Sequence, residues 1–339
     1  MTSRWPWPDL ARGTAIAAML VAHAQVLVPH RPTWVSDVLN RINDVASPLF
    51  ALVMGLSAAV MLARSDRGRR SVLVHNLVRG LVLVALGIWL ETWGSWVAIV
   101  LAVLGCLLIV GTPVLLLGHR AVAGIALALF VFSPMINTAV QRAVDWPGGY
   151  YADIGNHPSV GELLIRWFVA DPHYRVTSLL PFFLVGGLMI GYARRPDRWW
   201  SAAAVVGGTG AQIVVTALRA RPEADTLSGS SLDLLHDASL VAIAAGLCGL
   251  AVRLPWARMW RPVEELGTVA LSLYVLQIAV IAWINRDGAL PVLANDWAGF
   301  AVIVLGVAVA GWAWAHWIGR GPIEWATGVL TRRYPLTTR

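Results

Sequence analysis

At 339 residues, 58% hydrophobic, 13% charged and with a mean hydropathy of +0.66, the chain is far too apolar for a water-soluble globule. Its apolar runs of about 18–22 residues suit bilayer-crossing helices and exclude a transmembrane β-barrel, whose strands would be short and alternating. The formal charge of +7 comes from arginine, since the sequence holds no lysine, and it points to cytoplasmic loops rather than to nucleic acid. The expected fold is all-α: a polytopic transmembrane helical bundle forming one integral membrane domain over residues 1–339.

Ten spans are expected, at 10–28, 45–63, 72–90, 96–117, 120–140, 177–193, 199–218, 234–252, 266–284 and 298–318. Arginine placement orients them. With both termini inside, seventeen arginines, Arg64, Arg69, Arg195 and Arg258 among them, fall on the cytoplasmic side. Eight, including Arg31, Arg175 and Arg219, fall outside, and Arg79 lies within the third span, which accounts for all 26. Arg4, the first apolar run and Ala22-His23-Ala24 mimic a cleavable signal peptide. Asp9 and Arg12 crowd that run and nothing after Ala24 resembles a mature secreted start, so the segment is read as a retained span.

The first span carries ionisable groups in a pattern. Arg12 and His23 are eleven residues apart, three helical turns plus about 20°, so they share one face, and Asp9 lies one turn earlier. The rise from Arg12 to His23 is about 16 Å, roughly half the hydrocarbon core, and charged groups at such depth mark functional sites. The following loop holds His30, and Asp44 opens the second span four residues before Pro48, where a first helical turn tolerates proline. His30 and Asp44 should therefore share one membrane level, where a carboxylate could fix the imidazole tautomer of a general base. A solvated histidine beside a helix-capping aspartate is the plainer reading of the same two residues.

In the third span, Arg79 sits about 10 Å deep, where a guanidinium either snorkels to the interface or meets a carboxylate or phosphate. The loop 141–176 mixes Trp146, Tyr150, Tyr151, Asp153, His157, Glu162, His173 and Tyr174, a set that suits sugar stacking or an interfacial aromatic belt. Asp233, His236 and Asp237 lie near the outer face of the eighth span. Ser272, Tyr274 and Gln277 give the ninth polar side chains at depth, suited to interhelix hydrogen bonds. Cys106 and Cys248 fall inside apolar runs, which implies neither a disulfide framework nor a metal cluster.

Arg4, Asp9, Arg12-Gly13 and the polar residue at 23 together resemble the opening helix of the transmembrane acyltransferase superfamily. The nearest branch is that of heparan-α-glucosaminide N-acetyltransferase and its bacterial relatives. Asp44-Val-Ala-Ser-Pro48-Leu-Phe-Ala-Leu-Val-Met54-Gly55 resembles that branch's second helix, and His30 falls close to its catalytic histidine. Histidine at 23, where this branch has asparagine, is instead the pattern of the acyltransferase-3 branch. Trp260-Arg-Pro262, Gly267 to Gln277 and Gly321-Pro-Ile-Glu324-Trp325 are similar to the C-terminal signature of the bacterial relatives. The middle of the chain matches only in hydropathy.

The resemblance implies transfer of an acyl group, usually acetyl, from cytoplasmic acyl-CoA to an extracytoplasmic glycan or glycolipid, a cell-envelope modification at the plasma membrane. Donor binding then falls to Arg12, Arg79 and Asp9, catalysis to His30, Asp44 and His23, and acceptor binding to Tyr174, Asp233 and His236. Acetyl-CoA or another acyl-CoA is the expected donor, with no metal. Membrane lipids and a second copy of the chain are the other expected partners. Histidine could serve as general base or be acylated itself, and the acceptor could be a hydroxyl or an amine. A small-solute transporter, a lipid flippase or a silent scaffold would also fit a cavity lined by His, Asp and Arg, although no internal repeat supports a transporter.

The arginine asymmetry is testable by labelling. In a background lacking Cys106 and Cys248, an impermeant maleimide added to intact cells should label cysteine substituted at His30 and not at Arg258; labelling at 258 would reverse the orientation.

Overall fold

The computed structural model describes residues 5–64, 68–143, 159–286 and 295–331. It is 82% helix, with no strand among the described residues. Arg4 and the loop residues Trp146, Tyr150, Tyr151, Asp153 and His157 lie outside the described residues. In chain order the helices are α1 (Pro6–Ala24), α2 (Thr33–Arg64), α3 (Gly68–Glu91), α4 (Leu101–Val114), α5 (His119–Ala143), α6 (Val160–Ile165), α7 (Val176–Leu188), α8 (Ile190–Arg194), α9 (Arg198–Arg219), α10 (Ser231–Ala251), α11 (Arg261–Thr268), α12 (Ala270–Ile284), α13 (Trp297–Ala301), α14 (Val307–Trp317) and α15 (Pro322–Leu330).

Among the described residues, seven helical segments are long and apolar enough to cross a membrane, and the segment Ala257–Thr268, which includes α11, adds an eighth with α12 if the bent pair is one span. The expected spans at 96–117 and 177–193 hold shorter apolar helices of 14 and 13 residues. At 1.5 Å per residue these reach about 21 and 20 Å, short of a hydrocarbon core of about 30 Å. Both are largely buried, α4 against α3 and α7 against α2. By contrast α5, α9 and the α13–α14 segment keep apolar side chains such as Phe132, Ile213 and Leu305 exposed, as lipid-facing helices must.

The core is built from α1, α2, α4 and α7, which supply Trp7, Ile16, Leu49, Leu56, Leu107 and Phe183. Pro6 and Pro8 open α1, where their missing N–H groups have no helical partner to lose, and Asp9 complements the positive end of the helix. The second helix differs from expectation. It begins at Thr33 rather than beside Asp44, and Pro48 lies inside it. Its 32 residues span about 48 Å, so the polar first turns, with Ser36, Asp37, Asn40 and Arg41, continue the helix past any bilayer core.

Two close approaches fix the packing. A Cβ on Gly55 would run into the Phe183 carbonyl, and one on Gly186 into the Leu52 carbonyl, so α2 and α7 touch backbone to backbone. Gly13 and Gly267 do the same for α1 and α11, meeting the carbonyls of Val263 and Asp9. Small residues are how helices in lipid reach full van der Waals contact.

The expected ninth span is broken. α11 and α12 meet at 71°, and the break strips α12 of an N-terminal partner of its own, since Val269 has no capping side chain. Glu324 of α15 supplies one: its Oε1 accepts from Leu271 N at 2.7 Å and Ser272 N at 3.1 Å, and its Oε2 accepts from the Ser272 hydroxyl.

Gly55→Val and Gly186→Val should each cost at least the 1–3 kcal/mol typical of overpacking and lower the thermal unfolding midpoint in detergent. Gly210→Ala, with open space around its Cβ and a better helix former in place, should not lower the midpoint.

Candidate functional site

A cavity of about 700 Å³ opens beside the N-terminal end of α1. Its outer part is polar, with Asp9, Arg12, Arg64, His75, Arg79 and Arg320. Its inner part is apolar, ending at Met19, Phe50, Leu101, Leu104 and Tyr274. From Trp5 to Met19 it follows α1 for about 21 Å. Arg12 is held in place by Asp9 Oδ1 at 3.5 Å and donates to Ser57 Oγ at 2.9 Å. The three expected donor-binding residues, Arg12, Arg79 and Asp9, thus line one cavity. A guanidinium-rich mouth above an apolar shaft suits a ligand with an anionic head and a slender tail.

His23 lies just beyond the inner end, one turn past Met19, with its ring edge-on to Tyr274 at 5.8 Å between centroids. It is buried, and it is not itself in the cavity wall. Gln277 Nε2 donates to the Leu20 carbonyl at 2.9 Å, so the amide oxygen is the atom facing His23 Nδ1, also at 2.9 Å. An oxygen there requires the proton on Nδ1, which in the neutral imidazole leaves Nε2 as an unprotonated nitrogen, with no hydrogen bond to a described residue. The Trp96 indole donates to the His23 carbonyl at 2.9 Å and pins the end of α1.

The expected His30–Asp44 pair does not form. His30 is exposed, and its backbone N–H donates to Asn295 Oδ1 at 2.8 Å. Asp44 instead faces His236 of α10, with Oδ2 3.1 Å from Nε2. The cause is the early start of α2: from Thr33 to Asp44 the helix rises about 16 Å, which carries Asp44 away from the loop that holds His30.

Of the three expected acceptor-side residues, His236 is therefore bonded to Asp44. Asp233 has both carboxylate oxygens engaged, Oδ1 with Arg219 at 3.6 Å and Oδ2 with Gly229 N at 2.7 Å, at the capped start of α10. Tyr174 lies in the turn before α7 and hydrogen-bonds Ser47 of α2. Desolvation pushes its phenol above the ordinary range, against the pull of that bond, and the carboxylates of Asp171, Asp44 and Asp237 add to the rise. Arg166 joins Asp171 at 3.1 Å and Glu91 at 3.8 Å, and Arg175 donates to the Asp171 carbonyl and to Ser228 at 2.8 Å.

Sequence reasoning passed over Gln212 and Ser239, which complete the surroundings of His236. A lone amide within an apolar helix was the available signal for Gln212.

Two family models match the chain. Residues 4–153 are similar to the family described as heparan-alpha-glucosaminide N-acetyltransferase, catalytic. Residues 177–333 are similar to one described as protein of unknown function (DUF418). Together the two matches support a relation to a transmembrane acyltransferase superfamily. No curated protein matches the chain. The first match holds Arg12, His23, His30, Asp44 and Arg79, and the second holds Gln212, Asp233, His236 and Gln277. The His23–Gln277 and Asp44–His236 bonds both join one matched region to the other.

The tautomer of His23 has a direct readout. In detergent-solubilised protein labelled with ¹⁵N-histidine, His23 should show the Nδ1-protonated pattern, and Gln277→Leu should abolish it.

Proposed function

We propose that the chain transfers an acyl group, acetyl in the first instance, from acyl-CoA to a hydroxyl or amine of a glycan or glycolipid. The observation that carries this reading is the arginine-lined cavity ending beside His23, whose Nε2 is left as a lone pair. In this reading the cavity mouth faces the cytoplasm across the plasma membrane, and the acceptor arrives from the Asp44 end. Arg12 and Arg79 take the phosphates of CoA, with Asp9 orienting Arg12. The acyl arm lies along the apolar shaft toward Tyr274.

His23 acts as general base. The acceptor's O–H or N–H lone pair adds to the thioester carbonyl carbon as its proton passes to His23 Nε2. The carbon–sulfur bond then breaks and CoA leaves as thiolate, to be reprotonated by solvent. A neutral, desolvated imidazole with Nδ1 tied to Gln277 is the form such a step requires. Similarity of residues 4–153 to an N-acetyltransferase catalytic family supports the same chemistry.

Purified variants test the roles separately. His23→Ala should lose about 10²–10⁴-fold in acetyl-CoA turnover while CoA affinity, measured by calorimetry, persists. Arg12→Ala and Arg79→Ala should each weaken CoA binding by about 10-fold or more, the scale of one charge-assisted hydrogen bond. His30→Ala should keep its turnover. A fully active His23→Ala beside a dead His30→Ala would move the chemistry to the loop.

A further inference from the structure

The hydrogen bonds around His236 run in one direction. The Ser239 hydroxyl meets two acceptors, Gln212 Oε1 and the His236 carbonyl, the latter at 2.7 Å. The Gln212 amide oxygen therefore faces Ser239, and its nitrogen donates to His236 Nδ1 at 2.9 Å. A carboxylate opposite Nε2 requires the proton on that nitrogen, which agrees with Nδ1 accepting. Every bond in the chain donates toward Asp44.

Burial separates Asp44 from the other three. Ser239, Gln212 and His236 are 4%, 7% and 6% exposed, whereas the Asp44 side chain is 32% exposed. With both nitrogens bonded, His236 has no lone pair to offer a substrate. Asp44 does: Oδ2 receives His236 and Oδ1 receives Asn43 Nδ2 at 3.0 Å, and a carboxylate oxygen can accept twice. Asp237, half-buried on the next position of α10, makes no hydrogen bond or ion pair with a described residue. Six residues along α2 from Asp44, about 9 Å of rise, Phe50 lines the inner end of the cavity.

We propose that Asp44 is the carboxylate that binds the acceptor, through an N–H or O–H group of the acceptor, and that His236 is its positioning residue, backed by Gln212 and Ser239. This rests on the acyl-transfer reading above. His236 fixes the rotamer of Asp44 and holds one of its oxygens, so that the remaining lone pairs point where the acceptor enters.

The test uses the full chain in detergent, with acetyl-CoA as donor probe and D-glucosamine, which carries both hydroxyls and an amine, as acceptor probe. His236→Leu preserves bulk and removes the N–H toward Asp44, whereas His236→Gln retains an N–H at that reach. His236→Leu and Asp44→Asn should raise the KM for glucosamine about 10-fold or more, the scale of a hydrogen bond to a charged group, with acetyl-CoA affinity unchanged. His236→Gln should restore most of that KM. A loss confined to kcat in His236→Leu, unrelieved in His236→Gln, would make His236 merely structural and overturn the assignment. Should His236→Leu fail to fold, an unchanged KM in Asp44→Asn overturns it as well. Wild-type turnover of acetyl-CoA that glucosamine leaves unaltered also counts against it. Wild-type protein that neither binds nor turns over acetyl-CoA would instead remove the acyl-transfer reading itself.

Discussion

A polar group enclosed by apolar helices must find a partner, because leaving it unbonded costs about 2–7 kcal/mol and no water is at hand to replace it. His23 meets that demand through Gln277, and Gln277 meets its own through the Leu20 carbonyl. Three groups on two helices thereby hold one another, and the arrangement decides which ring nitrogen of His23 carries the proton. The chemical state of the histidine is a consequence of how α1 and α12 pack.

The same demand shapes the break between α11 and α12. A helix that starts inside the bundle exposes N–H groups, and Glu324 brings a carboxylate from the far end of the chain to receive them. The break turns α12 so that Tyr274 and Gln277 reach the inner end of the cavity and His23. Backbone contact at Gly13 and Gly267 brings α11 against α1 closely enough for these bonds to close. Packing and polar satisfaction are thus one problem here, solved by small residues at the contacts and long polar ones beyond them.

Two polar regions result, set along α1 and α2. One is arginine-rich and continuous with a deep cavity, and the other is carboxylate-rich with histidine behind it. Met19 and Phe50 line the cavity, and the ring of His23 lies edge-on to Tyr274, another of its lining residues. In the acyl-transfer reading, such a division suits a donor and an acceptor that approach from opposite faces. It also explains why the matched family regions meet at the site: each contributes one member to the bonds at His23 and at Asp44.

Much of this was written in the sequence. Hydropathy over windows of helix length is a local property, so the all-helical class and the approximate place of most apolar helices could be read without a structure. The helix period likewise placed Asp9 beside Arg12, and the ion pair formed there. Helix ends were less legible: solvated polar turns let α2 begin at Thr33, because nothing in a polar stretch forbids a helix once its neighbours support one. The partner of Asp44 was not legible at all. His236 stands 192 positions away, and which of several histidines meets a carboxylate depends on which helices touch, a matter settled by backbone contacts between glycines and distant carbonyls. Local periodicity carries no record of such contacts, so the residues that could act were visible in the sequence, and their pairing was decided only when the helices packed.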